Sequence, residues 1–181
     1  MRAIPNLLCL MRIALIWPIV SSIAEGRYTF TLALFLLAAF TDGLDGFLAK
    51  RFHWTSELGG LLDPLADKLL LIAVFLVASW HELIPPALTA LAVARDLTIG
   101  LGAVLYRVGW GALRGHPTLS SKLNTLAQVS YVLAVLARAA FGQPGAGLIR
   151  ALAVLTVCTL VLSGFGYVRE YTRRALQVAR A

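Results

Sequence analysis

Four aspartates are the side chains of this sequence best suited to holding metal ions: Asp42, Asp45, Asp63 and Asp67. Asp42 and Asp45 are three residues apart, which puts both carboxylates on one face of a helix. Asp63 and Asp67 are four residues apart and share a face of the next helix. Four close carboxylates repel one another unless cations compensate them. Oxygen ligands suit hard ions, so the pattern predicts two Mg²⁺ or Mn²⁺ ions that polarise a phosphoryl group.

The spacing of the two acidic pairs fits a helical hairpin. His53 and Trp54 stand at the predicted turn, and each pair lies about ten residues, or ~15 Å of helix, from it. Gly43 and Gly46 stand beside the first pair, where the missing side chains would let a bulky phosphorylated ligand approach the backbone. The alternative is that these Asp-Gly pairs mark turns, which would place residues 41–46 in a solvent-exposed loop.

The elements that would position these acids are apolar helices. Of the 181 residues, 59% are hydrophobic and the mean hydropathy is +0.80, whereas soluble domains contain roughly 45–50% apolar residues. We predict an all-α polytopic membrane protein, a single domain over residues 1–181, with an N-terminal interfacial segment and six transmembrane helices. Apolar runs and their breakers place these helices at about 7–24, 29–51, 61–80, 83–106, 120–141 and 146–168.

The basic residues indicate the orientation of the bundle. The net charge is +7, yet no Lys/Arg run forms a nucleic-acid-binding arm, and anionic lipid headgroups explain the charge better. Most Lys and Arg residues fall at the termini and in two loops, whereas Arg27, Arg138 and Arg150 fall on the other side. We therefore predict that both termini are cytoplasmic. We expect the membrane to be the cytoplasmic membrane of a bacterium, which fits a short chain without a transit peptide. A cleaved signal peptide is the alternative for residues 13–24, although Arg12 favours a retained helix.

The acidic segment resembles a family signature. Residues 42–50, Asp-Gly-Leu-Asp-Gly-Phe-Leu-Ala-Lys, followed by Gly59, Asp63 and Asp67, resemble the CDP-alcohol phosphatidyltransferase motif in every spacing. The one departure is Lys50, because the family usually has arginine there and lysine lacks the planar fork. The resemblance implies a homodimer of six-helix subunits in which the metals are held by Asp42, Asp45, Asp63 and Asp67, and the CDP moiety by Gly46, Ala49, Lys50 and Gly59.

The reaction implied by this resemblance is phosphatidyl transfer from CDP-diacylglycerol to an alcohol, with release of CMP. Direct displacement is expected, and Asp67 would remove the proton of the acceptor hydroxyl. A covalent phosphatidyl-enzyme is disfavoured because no serine or cysteine is paired in sequence with an obvious activating base. A small divalent-cation transporter is the alternative from another functional class, since buried aspartates also line ion pathways.

Three polar residues on the later helices are candidates for the acceptor site: Arg95, Lys122 and Asn124. Arg95 and Asp96 are adjacent and point about 100° apart on a helix, so we expect each to have another partner. Arg95 would contact an acceptor phosphate or form a structural ion pair, and Lys122 would face the cavity or snorkel. On the first helix, Arg12 would help to position the diphosphate or serve only to set the topology.

The sequence is compatible with two acceptor substrates. Residues 4–8 resemble both the branch that uses glycerol-3-phosphate and the branch that forms cardiolipin from phosphatidylglycerol. A neutral Asn124 and an acidic Asp96 reduce the positive charge that a dianionic glycerophosphate would need. Three further segments resemble the cardiolipin-forming branch more closely: 83–85, 94–96 and 117–125. We therefore favour phosphatidylglycerol as the acceptor, and keep glycerol-3-phosphate as the alternative.

Overall fold

The part of the chain described by the computed structural model is entirely helical. The backbone is described for residues 3–52, 59–110 and 119–178, and the side chains for residues 10–43, 66–100 and 120–167. These ranges contain six helices and no strand, which confirms the all-α prediction. The helices are α1 (Ala3–Ala24), α2 (Tyr28–Phe52), α3 (Gly59–Trp80), α4 (Pro86–Trp110), α5 (Leu119–Phe141) and α6 (Ala146–Val178).

Each predicted helix overlaps the observed helix of the same rank. The largest difference is at the C-terminus, where α6 continues to Val178 instead of ending near residue 168. The arginines of that tail do not interrupt the helix, because arginine is a good helix former and no glycine or proline follows Gly166. The tail is therefore a continuation of the last helix over the residues that the structure describes.

The connections at one end of the bundle are closed by residues with a left-handed backbone. After α1 the chain turns at Gly26, with φ +71°, and the amide of Arg27 donates to the carbonyl of Ser22 at 2.9 Å. After α5 it turns at Gly142, with φ +74°. After α3 the corresponding residue is Glu82, with φ +60°, a conformation that costs a residue with a side chain ~1–2 kcal/mol. These tight turns return each following helix antiparallel to the previous one.

The helices pack around one continuous apolar core. α1 packs against α2 and α3, α5 against α2 and α6, and α4 against α3 and α6. Hydroxyl groups add contacts between neighbouring helices, since Ser22 and Thr31 are 2.7 Å apart and Thr156 donates to the carbonyl of Ala127 at 3.3 Å. The core includes buried side chains from α1 to α6, among them Ile19, Phe35, Val74, Leu88, Tyr131 and Leu160.

The outer surface of the bundle is also apolar. Several large apolar side chains are more than half exposed: Trp17, Phe40, Trp80 and Phe165. Within the part of the chain that was searched, two segments are long and apolar enough to cross a bilayer, Ser120–Phe141 and Ala146–Tyr167. The apolar segments Leu10–Ala24 and Tyr28–Gly43 are shorter. The six membrane spans therefore stay a prediction.

Candidate functional site

Side chains from three helices meet at one cluster, which we call the carboxylate site: Arg12 of α1, Asp42 of α2 and Asp67 of α3. The Arg12 side chain is only 1% exposed and forms ion pairs with both acids, through Nη2 to Asp42 Oδ1 at 3.3 Å and through Nη1 to Asp67 Oδ1. The side chains of Asp42 and Asp67 are 48% and 30% exposed. A small cavity of about 30 Å³ adjoins all three residues. The acids are therefore held from inside by the arginine and are open to a ligand from outside.

The carboxylate site forms because α1 packs against both acid-bearing helices. The backbone of residues 41–46 lies inside α2, so the alternative that places them in a loop is wrong. The Thr41 hydroxyl donates to the carbonyl of Ala38 at 2.9 Å, so this polar side chain is satisfied within the helix. A Cβ built on Gly43 would meet no atom within 4 Å, which leaves open space beside Asp42.

Several predicted site residues fall outside the described side chains. Asp45, Gly46, Ala49 and Lys50 lie on α2, and Gly59 and Asp63 lie on α3, where the structure gives only the backbone. No group of three possible His, Cys, Asp or Glu ligands converges among the side chains that are described. The donors at the carboxylate site nevertheless suit a hard divalent cation, because they are oxygens and a single guanidinium neutralises only one of two carboxylates.

A second cluster, which we call the arginine site, surrounds Arg95 of α4. Arg95 Nη1 pairs with Asp96 Oδ1 at 2.5 Å, although adjacent residues on a helix point apart, and the prediction that each of them has another partner is confirmed by Ser121 and Ser163 for Arg95 and by Lys68 for Asp96. The arginine side chain is long enough to bend around its own helix, and burial of both groups makes an unpaired charge costly. Asp96 also lies 4.0 Å from Lys68 Nζ, so one carboxylate serves two cations.

Other helices complete the arginine site. Arg95 Nη2 donates to the hydroxyl of Ser121 on α5 at 3.2 Å and to the hydroxyl of Ser163 on α6. The ring of Tyr167, also on α6, lies with its centroid 5.8 Å from Arg95 Cζ, within the range of a cation–π contact. Arg95 is therefore held by groups from α4, α5 and α6.

The other two predicted acceptor residues have different surroundings. Asn124 is fully buried, and its Oδ1 accepts a hydrogen bond from the Thr159 hydroxyl at 3.2 Å. Its Nδ2 has no hydrogen-bond partner among the described residues. Lys122 is exposed, and no contact between it and Arg95 or Asn124 is found in the described ranges. The second cation near Asp96 among the described side chains is Lys68.

Sequence reasoning did not identify Lys68, Ser121, Ser163 or Tyr167 as site residues. Lys68 directly follows the last aspartate of the motif, and this position could have drawn attention to it. Ser163 and Tyr167 are four residues apart, so they share a face of an otherwise apolar helix. That spacing could have identified a polar face on α6. It does not indicate which residue of another helix this face contacts.

Comparison with known proteins places this geometry in context. A family model described as CDP-alcohol phosphatidyltransferase matches residues 2–164. The human cardiolipin synthase (CMP-forming) is 32% identical over 194 residues, which cover 98% of this chain and 64% of the human protein. The chloroplastic CDP-diacylglycerol–glycerol-3-phosphate 3-phosphatidyltransferase 1 of Oryza sativa subsp. japonica is 33% identical, over 93% of this chain and 56% of the rice protein. The chain thus spans less than two thirds of the length of either relative.

Proposed function

This chain belongs to the CDP-alcohol phosphatidyltransferase family, and we propose that it transfers the phosphatidyl group of CDP-diacylglycerol to an alcohol and releases CMP. The observation that carries the proposal is the convergence of Asp42 and Asp67 on one buried arginine. These are the first and last acids of the motif, and they lie on different helices. Family membership also argues against a divalent-cation transporter, which the aspartates alone allowed.

The proposal includes two divalent metal ions, Mg²⁺ or Mn²⁺, held by Asp42, Asp45, Asp63 and Asp67. When bound, such ions would polarise the phosphoryl group and stabilise its developing negative charge. Arg12 supports this arrangement from behind, because it fixes the carboxylates of Asp42 and Asp67 and neutralises only part of their charge. The CDP moiety would be bound by the neighbouring part of the motif, through Gly46, Ala49, Lys50 and Gly59.

Asp67 is the proposed general base. Its carboxylate is 30% exposed beside the small cavity, so an acceptor hydroxyl has access to it. The ion pair with Arg12 restricts the orientation of the carboxylate, which favours proton transfer along a fixed direction. The proton would move from the acceptor hydroxyl to Asp67 as the hydroxyl oxygen attacks the phosphorus and CMP leaves.

We propose phosphatidylglycerol as the acceptor, which would give cardiolipin. At the arginine site, Asp96 neutralises one of the two cations Arg95 and Lys68, and Asn124 adds no charge. One remaining positive charge matches a phosphodiester, which carries one negative charge, better than a phosphomonoester, which carries nearly two. The name of the human relative supports this product. The name of the rice relative supports the alternative, transfer to glycerol-3-phosphate giving phosphatidylglycerophosphate.

We further propose that all six helices span the cytoplasmic membrane of a bacterium as a homodimer, with both termini cytoplasmic. The apolar exterior supports burial in lipid, because a monomeric soluble protein rarely exposes such extended apolar surface. The positive residues near the two ends of the sequence and in the segments 50–60 and 107–118 support this orientation.

The direct test is CMP release from CDP-diacylglycerol by purified protein with Mg²⁺, with Mn²⁺ or with EDTA. Phosphatidylglycerol and glycerol-3-phosphate are supplied in separate reactions, and the lipid product is identified. Metal-dependent cardiolipin formation with phosphatidylglycerol alone is the expected result. Phosphatidylglycerophosphate formed from glycerol-3-phosphate would keep the reaction type and overturn the acceptor, whereas no metal-dependent CMP release with any acceptor would contradict the proposed function.

A further inference from the structure

We propose that Ser163 and Tyr167 of α6 are positioning residues that fix the Arg95 guanidinium for recognition of the acceptor's phosphate group. The inference rests on the proposed function, because it requires an acceptor that carries a phosphate. Both residues lie outside the acidic motif, on the last helix, which carries none of the predicted site residues.

The contacts show how α6 holds the arginine. Ser163 is fully buried, and its hydroxyl accepts a hydrogen bond from Arg95 Nη2. Tyr167 lies one helical turn further, with its ring centroid 5.8 Å from Arg95 Cζ. Between them, a Cβ built on Gly164 would lie 3.7 Å from Arg95 Cγ, an ordinary packing distance. One face of α6 therefore contacts both the guanidinium and the aliphatic stem of Arg95.

The hydrogen-bond donors of Arg95 indicate a ligand beyond these contacts. A guanidinium has five N–H donors, and here Nη1 donates to Asp96 while Nη2 donates to Ser121 and Ser163. Arg95 Nε is buried and has no hydrogen-bond partner among the residues described, although an unpaired buried donor costs ~1–3 kcal/mol.

Arg95 has more contacts than an ion pair with Asp96 requires. Asp96 alone would pair the arginine charge, whereas contacts from three helices fix the plane of the guanidinium and leave its Nε without a partner in the part of the chain that the structure describes. A fixed planar fork with free N–H groups is suited to the oxygens of a phosphate. A second buried donor without a partner in the described ranges, Asn124 Nδ2, lies on α5, the helix that also carries Ser121.

The experiment compares Ser163→Ala with Thr156→Val in steady-state kinetics. Both substitutions remove a buried α6 hydroxyl, but Thr156 bonds to the backbone of α5 and of its own helix and does not contact Arg95. We expect Ser163→Ala to raise the KM for phosphatidylglycerol about tenfold, with kcat and the KM for CDP-diacylglycerol changed less than about twofold. Ser163→Thr retains the hydroxyl and should restore the KM, and Thr156→Val should leave both KM values unchanged.

Two further measurements keep the inference testable by itself. Tyr167→Leu should raise the acceptor KM about threefold, and it serves as the second variant if Ser163→Ala does not fold. The rise in melting temperature on adding phosphatidylglycerol reports binding without turnover. For Ser163→Ala, the lipid concentration that gives half of the maximal rise should be about tenfold higher than for the wild type. Equal changes in both KM values, or no change, would overturn the positioning role. A wild-type protein that binds phosphatidylglycerol but releases no CMP would contradict the proposed function and leave the binding comparison decisive for Ser163.

Discussion

The buried arginine of the carboxylate site contributes both position and charge to the two acids. Arg12 holds Asp42 and Asp67 in place, and it supplies the only positive charge paired with them among the described side chains. A buried arginine charge is costly in an apolar helix bundle, and here the carboxylates of Asp42 and Asp67 compensate it. Sequence reasoning left Arg12 with two possible roles, and the structure places its guanidinium on the acids of the motif.

Asp67→Asn should leave a folded protein that has lost most of its activity. The amide keeps the size of the side chain and can still accept a hydrogen bond from Arg12, but it cannot take a proton from the acceptor hydroxyl. We expect CMP release to fall at least ~100-fold, measured at saturating CDP-diacylglycerol and acceptor. Glu25→Gln, an exposed acid in the turn between α1 and α2, is the matched control and should retain activity. Near-normal transfer by Asp67→Asn would remove Asp67 from the role of base.

Arg12→Gln should destabilise the protein in a way that divalent ions partly reverse. Without the guanidinium the two carboxylates repel each other, and because both are partly exposed we expect the free energy of unfolding to fall by about 1–3 kcal/mol. The melting temperature in detergent with EDTA should fall, and Mg²⁺ should raise it more in the variant than in the wild type. Arg27→Gln removes an exposed cation that pairs with exposed Glu25, and it should cost no more than ~1 kcal/mol. An Arg12→Gln protein as stable as Arg27→Gln would show that the buried ion pairs contribute little.

At the scale of helices, two turns contain a residue with positive φ, and substitutions at these two residues should change stability in opposite directions. Gly26 adopts φ +71° with open space around its Cα, so Gly26→Ala should destabilise through the backbone alone, by about 1–2 kcal/mol. Glu82 adopts φ +60° with a side chain, so Glu82→Gly should relieve strain and raise the melting temperature. Gly100→Ala is the control, because Gly100 lies within α4 with nothing within 4 Å of a built Cβ. A fall in stability with Glu82→Gly would contradict this account of the turn.

The helices were predictable from sequence and most of their mutual contacts were not. Apolar runs bounded by Gly26, residues 81–82 and Gly142 locate the elements, because the breakers act locally. The motif spacing predicts that the two acidic pairs lie at one level, and Asp42 and Asp67 both pair with Arg12, whereas the predicted turn at His53 and Trp54 lies outside the described residues. The Arg95–Ser163 contact joins residues far apart in the chain, and it depends on how α4 and α6 are rotated against each other. Helical periodicity shows that Ser163 and Tyr167 share a face, but the partner of that face is set by packing of the whole bundle.

At the scale of the whole molecule, the carboxylate site and the arginine site lie in different halves of the helical bundle. The carboxylate site is built from α1, α2 and α3, whereas the arginine site is built mainly from α4, α5 and α6. Asp67 and Lys68 are adjacent on α3 and belong one to each site, so this helix links them. A donor bound by the first half and an acceptor bound by the second would therefore meet at α3, where the proposed base lies.

The proposed orientation can be tested by labelling single cysteines in intact cells. In a protein with Cys9 and Cys158 replaced by serine, Glu25→Cys and Gln143→Cys should react with a membrane-impermeant maleimide, because both lie in the exposed turns at the end opposite the carboxylate site. Lys122→Cys, exposed at the start of α5, should react only after the cells are permeabilised. The positive-inside distribution requires this result, since the termini and the carboxylate site would then share the cytoplasmic side with Lys122. Labelling of Lys122→Cys but not Glu25→Cys in intact cells would reverse the orientation, and labelling of all three positions would contradict a bundle that spans the membrane.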